Sequence, residues 1–163
     1  MRLDYAALAP DAMKRIYALQ NYVDAHTGLD HKLLRLIQLR ASQINGCAFC
    51  MHLHTLELQD LGETPIRIDC VSAWHETNLY TEKEQAALAW TEALTLLSET
   101  HVPDKVFEEA KRNFTEKEIA DLAVAISLIN VWNRLAVGFR QDPAMAPILL
   151  ERVAEQKKAA AMV

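Results

Sequence analysis

The chain has 163 residues, about half of them apolar (51%), with a formal net charge of -5 from 17 Lys and Arg against 22 Asp and Glu. That length suits one domain, residues 1–163, with a real core, and that apolar fraction excludes a disordered chain. The acidic balance and the lack of a basic run argue against a nucleic-acid surface.

Gly (4) and Pro (5) are scarce while Ala and Leu abound, which favours helix. Asp11 is placed to cap a helix running to about Ala25 and ended by Gly28. Asp30 is placed to cap the next, in which Leu33, Leu34, Ile37, Ala41 and Ile44 recur at helical spacing. Asn45-Gly46 marks a turn. A third helix is expected from Cys47 to about Leu61, and Thr64-Pro65 opens a fourth with the body "IRIDCVSAW". "TEKE" occurs at residues 81–84 and again at 115–118, each time as a Thr-x-x-Glu capping box before a periodic apolar run. Between them Pro103-Asp104 begins a short helix. No alternating strand pattern appears, so the expected fold class is all-α with seven or eight helices.

The N-terminus breaks its apolar run with Asp, Pro and Lys, which is not the pattern of a secretory signal. The longest apolar region, "IADLAVAISLINVWNRLAVGF", carries Asp121, Asn130, Asn133 and Arg134 and reads as a core helix rather than a membrane span. The expected compartment is the cytoplasm, where a close cysteine pair is more often catalytic or metal-binding than a structural disulfide.

That pair lies in "INGCAFCMHLH", residues 44–54. On a helix beginning at Cys47, Cys50 and His54 fall within roughly 60° of it on one face, whereas His52 points elsewhere. Cys50 and His54 are at i and i+4, the spacing that brings side chains together. The first turn of a helix favours a thiolate, since it offers unpaired N–H groups and the positive dipole end. An imidazole can take the thiol proton, and a second thiol can resolve a sulfenic acid into a disulfide. Two other readings stand beside this one. Three residues on one stripe can simply pack together, as the third cysteine, Cys70, is expected to do. Cys47, Cys50 and His54 could also supply three zinc ligands, although no second ligand pair follows and nothing in the spacing recommends His75 or His101 as a fourth.

The run Ser42-Gln43-Ile44-Asn45-Gly46-Cys47, followed by Cys50 and His54, resembles the core motif of the alkylhydroperoxidase D-like proteins in the carboxymuconolactone decarboxylase superfamily. "SAWHETNLYTEKEQAALAWTEALT" and "INVWNRLAV" are similar, more loosely, to segments of its short members, so the resemblance spans most of the chain. It implies an all-α fold assembled as a homo-oligomer, trimer or hexamer. It also implies a thiol peroxidase or a dithiol–disulfide exchange activity: Cys50 as attacking thiolate, Cys47 as resolving thiol and His54 as proton acceptor. The substrate would be a hydroperoxide, no cofactor would be bound, and an external thiol system would restore the dithiol. Two positions depart from the peroxidase pattern. The glutamate expected twelve residues before the first cysteine is Arg35, and the histidine expected just before the second is Phe49. The lactone decarboxylase branch lacks the cysteine pair, so decarboxylation is not the chemistry implied.

A replacement acid is therefore sought. Glu92 lies on an apolar stripe, four residues after Leu88 and four before Leu96, where an unpaired carboxylate is costly and often functional; it reads equally as a partly exposed residue on the helix flank. Glu84 reads more simply as a capping-box residue. Asn130, Asn133 and Arg134 are expected to hydrogen-bond neighbouring helix ends or another subunit. Trp74, Trp90 and Trp132 are expected to fill space, and with no glycine-rich phosphate loop a nucleotide cofactor is not expected.

Overall fold

A computed structural model describes the backbone of residues 1–161 and the side chains through Glu155. Within them the chain forms ten α-helices and no strand. In order these are α1 (Tyr5–Leu8), α2 (Pro10–Ala25), α3 (His31–Ile44), α4 (Ala48–Asp60), α5 (Pro65–Asp69), α6 (Glu82–Thr95), α7 (Leu97–Thr100), α8 (Asp104–Asn113), α9 (Glu116–Phe139) and α10 (Ala146–Ala161). Two 3₁₀ helices, Cys70–Glu76 and Pro143–Met145, join them. Seven of the ten α-helices run for ten residues or more; the additional three are single-turn pieces.

Local chemistry sets the starts. Asp30 accepts from the Leu33 N–H at 2.9 Å. Thr81 with Glu84, and Thr115 with Glu118, each close a full capping box, so two orphan amides are satisfied at each helix start. Three details differ from the sequence reading. α2 begins at Pro10, because Pro is pre-organised for a first helical position, and Asp11 is a first-turn acid rather than the cap. α4 begins at Ala48, with Cys47 as its N-cap. The helix opened by Pro65 gives way at Cys70 to a 3₁₀ helix, kinked at Ala73.

α3 is the central element. Val23, Leu34, Ile37, Ala87, Trp90, Leu122 and Ile126 share one cluster that joins α2, α3, α6 and α9. Leu36 and Leu39, from another side of α3, meet Leu58, Ile68, Val71, Trp74 and Leu88 in a second. Each fully buried leucine contributes about 1.5–3 kcal/mol, so burying α3 on several faces ties the two clusters into one body. α9 is long and apolar enough to cross a membrane by length and composition, but Leu122, Ala125, Ile126, Leu128 and Ile129 are buried in this fold. α10 and the 3₁₀ helix before it pack against α4.

Candidate active site

α3 ends in a turn that aims the cysteine pair. The Gly46 N–H donates to the Gln43 carbonyl (3.2 Å) and the Cys47 N–H to the Ser42 carbonyl (2.9 Å). This is the paired closure of a Schellman end, and it places Gly46 in the left-handed region, at φ 65°. Cys47 is therefore the last residue of one helix end and the N-cap of the next. Its Sγ accepts from the Cys50 N–H at 3.2 Å.

The turn is fastened to α9. Asn45 Nδ2 donates to Asn130 Oδ1 (3.0 Å), to Asn133 Oδ1 (2.9 Å) and to the Ala41 carbonyl (2.9 Å). Asn133 donates to Ser42 Oγ (3.1 Å), which donates to the Gln38 carbonyl (2.7 Å). Asn130 also receives Arg134 and donates to Thr95 Oγ1. The amides that interrupt the apolar helix thus bind the end of α3 beside the cysteines.

Cys47 and Cys50 form a disulfide with Cα atoms 5.3 Å apart. Both sulfur residues are buried, against Ala136 of α9 and Phe49. His54 is also buried, at 6% exposure, while His52 faces solvent. His54 Nδ1 lies 2.7 Å from Glu57 Oε2, and its Nε2 is buried without a hydrogen-bond partner. Glu57 Oε1 lies 3.3 Å from Arg35 Nε. Burial pushes the Glu57 carboxyl up, but the His54 hydrogen bond and charge, with Arg35, outweigh it and hold the group below its ordinary 4.5. Glu57 thus stays ionised, and an ionised carboxylate on Nδ1 favours the tautomer with the proton there. Nε2 then carries the lone pair, one helical turn from Cys50.

The structure places Cys47 at the N-cap of α4, Cys50 in its first turn and His54 one turn further on, and it gives Glu92 other partners. Glu92 Oε1 accepts from Arg40 Nε (2.7 Å) and from Trp74 Nε1 (2.8 Å), and Oε2 lies 3.5 Å from His75. Arg35, in the position of the peroxidase glutamate, touches a carboxylate supplied by α4. The acid beside His54 is Glu57, on the same helix, a residue not singled out from the sequence. The available signal was its i+3 spacing from His54 on the same helix face. Cys70 is a free, partly buried thiol at the start of the first 3₁₀ helix.

Residues 10–93, half of the chain, match the carboxymuconolactone decarboxylase family. The chain is 36% identical over 137 residues to the uncharacterized protein YdfG of Bacillus subtilis, covering 84% of this chain and 92% of that one. Its fold superposes with a TM-score of 0.84 on ATU0492 of Agrobacterium tumefaciens, a protein of unknown function proposed to be the antioxidant defence protein AhpD. The two are 46% identical over 86% of this chain and 96% of that one. A TM-score of 0.74 relates it to the AhpD core of an uncharacterized peroxidase-related protein from Ralstonia eutropha, at 21% identity over 85% and 73% of the two chains, a likeness of fold alone. The chain belongs to the carboxymuconolactone decarboxylase family and, within that superfamily, is AhpD-like.

Proposed function

We propose that the protein is a cysteine-based hydroperoxidase whose redox pair is Cys47 and Cys50. The observation that carries this reading is the buried His54 ring, tied to Glu57 through Nδ1 and free at Nε2, one turn from Cys50. His54 Nε2 accepts the Cys50 thiol proton. The thiolate attacks the O–O bond of a hydroperoxide, the alcohol leaves with a proton, and Cys50 becomes a sulfenic acid. The Cys47 thiol attacks that sulfur, water leaves, and the disulfide forms. An external dithiol, or two thiols, exchanges with this disulfide and leaves as a disulfide itself, returning Cys47 and Cys50 to thiols, so the cycle needs no bound cofactor. A cytoplasmic thiol pool suits this step. The working form is a homo-oligomer, trimer or hexamer, a reading supported by the exposed apolar residues Leu97, Val131 and Val137.

The test is hydroperoxide consumption by the reduced protein with an excess of a small dithiol, comparing wild type with Cys50→Ser. Loss of turnover in C50S supports the assignment; a fully active C50S protein sinks it. A second reading, dithiol–disulfide exchange with little peroxide turnover, is favoured by Arg35 and Phe49 at two positions of the peroxidase pattern. It predicts reduction of a model disulfide at a rate that peroxide consumption does not approach.

A further inference from the structure

Behind Glu57 stands a chain of hydrogen bonds, joined to it by the Arg35–Glu57 ion pair, that no step of the proposed chemistry uses. Each nitrogen of the Arg35 guanidinium has its own partner. Nε faces Glu57 Oε1 on α4 (3.3 Å), NH1 donates to Gln38 Oε1 on its own helix (2.5 Å), and NH2 donates to Asp24 Oδ1 on α2 (2.8 Å). Asp24 is held in turn through Oδ2, which accepts from Gln20 Nε2 at 3.0 Å, and Gln20 Oε1 accepts from Trp132 Nε1 of α9 at 2.9 Å. A continuous line therefore runs from Trp132 through Gln20, Asp24, Arg35 and Glu57 to His54, crossing four helices.

The two oxygens of Glu57 are divided, one on Arg35 and one on His54. A carboxylate held at one oxygen can still swing about its own bond; an ion pair at the other oxygen opposes that rotation. The Arg35 side chain is 11% exposed, and such a buried cation must be compensated. Asp24 and Glu57 do so with one negative charge in excess. The group Asp24, Arg35, Glu57 and His54 is thus singly negative with neutral imidazole, and neutral once His54 has taken a proton.

We infer that Arg35, braced by Asp24, is the positioning residue of this site: it holds the Glu57 carboxylate on His54 Nδ1 and so keeps Nε2, one helical turn from Cys50, as the proton acceptor. This rests on the hydroperoxidase reading for its purpose but not for its test. Bare charge is a different role. A cation there would act through the field alone, and any residue carrying the charge would serve. Bridging needs the planar fork, because a lysine has one nitrogen to offer two carboxylates.

The experiment is ¹⁵N NMR of the imidazole ring of His54 in the reduced full-length protein at about pH 8, where a histidine is largely neutral and its tautomer can be read. Wild type is expected to show the Nδ1–H tautomer. Arg35→Gln and Arg35→Lys are both expected to move the ring toward Nε2–H and to slow alkylation of Cys50 by iodoacetamide about tenfold, within the usual scale of general-base effects. Asp24→Asn is expected to move both readouts the same way by less. If R35Q retains the wild-type tautomer, or if R35K behaves as wild type, the bridging role is overturned. Should R35Q fail to fold, R35K decides alone: a wild-type spectrum from it sinks the inference. None of these readouts involves peroxide. A protein that consumes no peroxide yet loses its tautomer in R35Q would refute the hydroperoxidase and leave the role of Arg35 standing.

Discussion

Asn45, at the end of α3, and Asn133, in the C-terminal third of α9, are 88 residues apart in sequence and share a 2.9 Å hydrogen bond two residues before the first cysteine. Asn133 is 1% exposed, and its amide also donates to Ser42. A buried amide with each end satisfied specifies one arrangement of two helices, and its removal strands the partners. Asn133→Ala is therefore expected to cost about 1–3 kcal/mol, read from urea denaturation of the full chain. Asn133→Asp, which replaces the donor to Ser42 by an acceptor, is expected to be at least as costly. An unchanged midpoint in both would show that the network does not hold the turn.

The turn itself makes a second prediction. A Cβ at Gly46 would meet no atom within 4 Å, so Gly46→Ala isolates the backbone term. At φ 65° the left-handed conformation costs an L-residue about 1–2 kcal/mol. A loss of that size is expected in chemical denaturation, with a slower return of the Cys47–Cys50 disulfide after reduction. A stability equal to wild type would contradict the Schellman closure described for α3.

His54 and Glu57 are expected to differ in weight. His54→Gln removes the acceptor and should lower hydroperoxide turnover by about 10²–10⁴-fold. Glu57→Gln keeps an oxygen near Nδ1 but loses the charge, and a loss of about tenfold is expected, within the range seen when a partner that orients a functional histidine is changed. Steady-state rates at saturating peroxide measure both. Equal losses in the two variants would argue that Glu57 takes the proton itself.

Acid should weaken the fold through Glu57. Its folded carboxyl lies below the ordinary 4.5, so folding favours the ionised form. The contribution is complete above the unfolded value and is lost as pH falls through 4.5 toward the folded one. Glu118 is depressed as well, first by the Thr115 backbone N–H and then by Lys83, and adds to the same limb. Denaturation midpoints between about pH 6 and 3 should fall steadily in wild type and less steeply in E57Q. Parallel curves would remove Glu57 as a source.

Tyr80 acts at the other end of the scale. Its hydroxyl donates to the Arg67 carbonyl, and burial pushes the phenol up to about 12, with the Arg67 charge opposing. Folding thus favours the neutral phenol, and that contribution is present below 10.0 and lost as pH rises toward 12. Tyr80→Phe should flatten the alkaline limb of stability, followed by circular dichroism from about pH 9 to 12. An unchanged limb would place the alkaline sensitivity elsewhere.

Much of this fold was legible in advance because its signals are local. Asp30 and the two Thr-x-x-Glu boxes each involve residues three apart, and all three cap helices as read. Helical spacing relates Cys50 to His54, four residues on in α4; Cys47, an extended N-cap, lies outside that rule. What escaped depended on competition among neighbours. Asp11 resembles a cap, but Pro10 already suits the first helical position. Glu92 reads as a stranded carboxylate until Arg40 and Trp74, distant in sequence, are brought to it. Arg35 suggests a missing acid only while the acid is expected on α3, since the partner it meets is on α4. Pairings between helices are set by tertiary packing, and a single chain read linearly carries little trace of them.

The bond from the Cys50 amide to Cys47 Sγ makes one main-chain proton a witness to the oxidation state of the pair. Reduction turns the accepting sulfur from one half of a disulfide into a thiol free to rotate, so this contact differs between the two states of the pair. A single amide resonance, with no label attached to either thiol, therefore carries the redox history of the molecule. Its chemical shift and its exchange with deuterated solvent should both change when the pair is reduced.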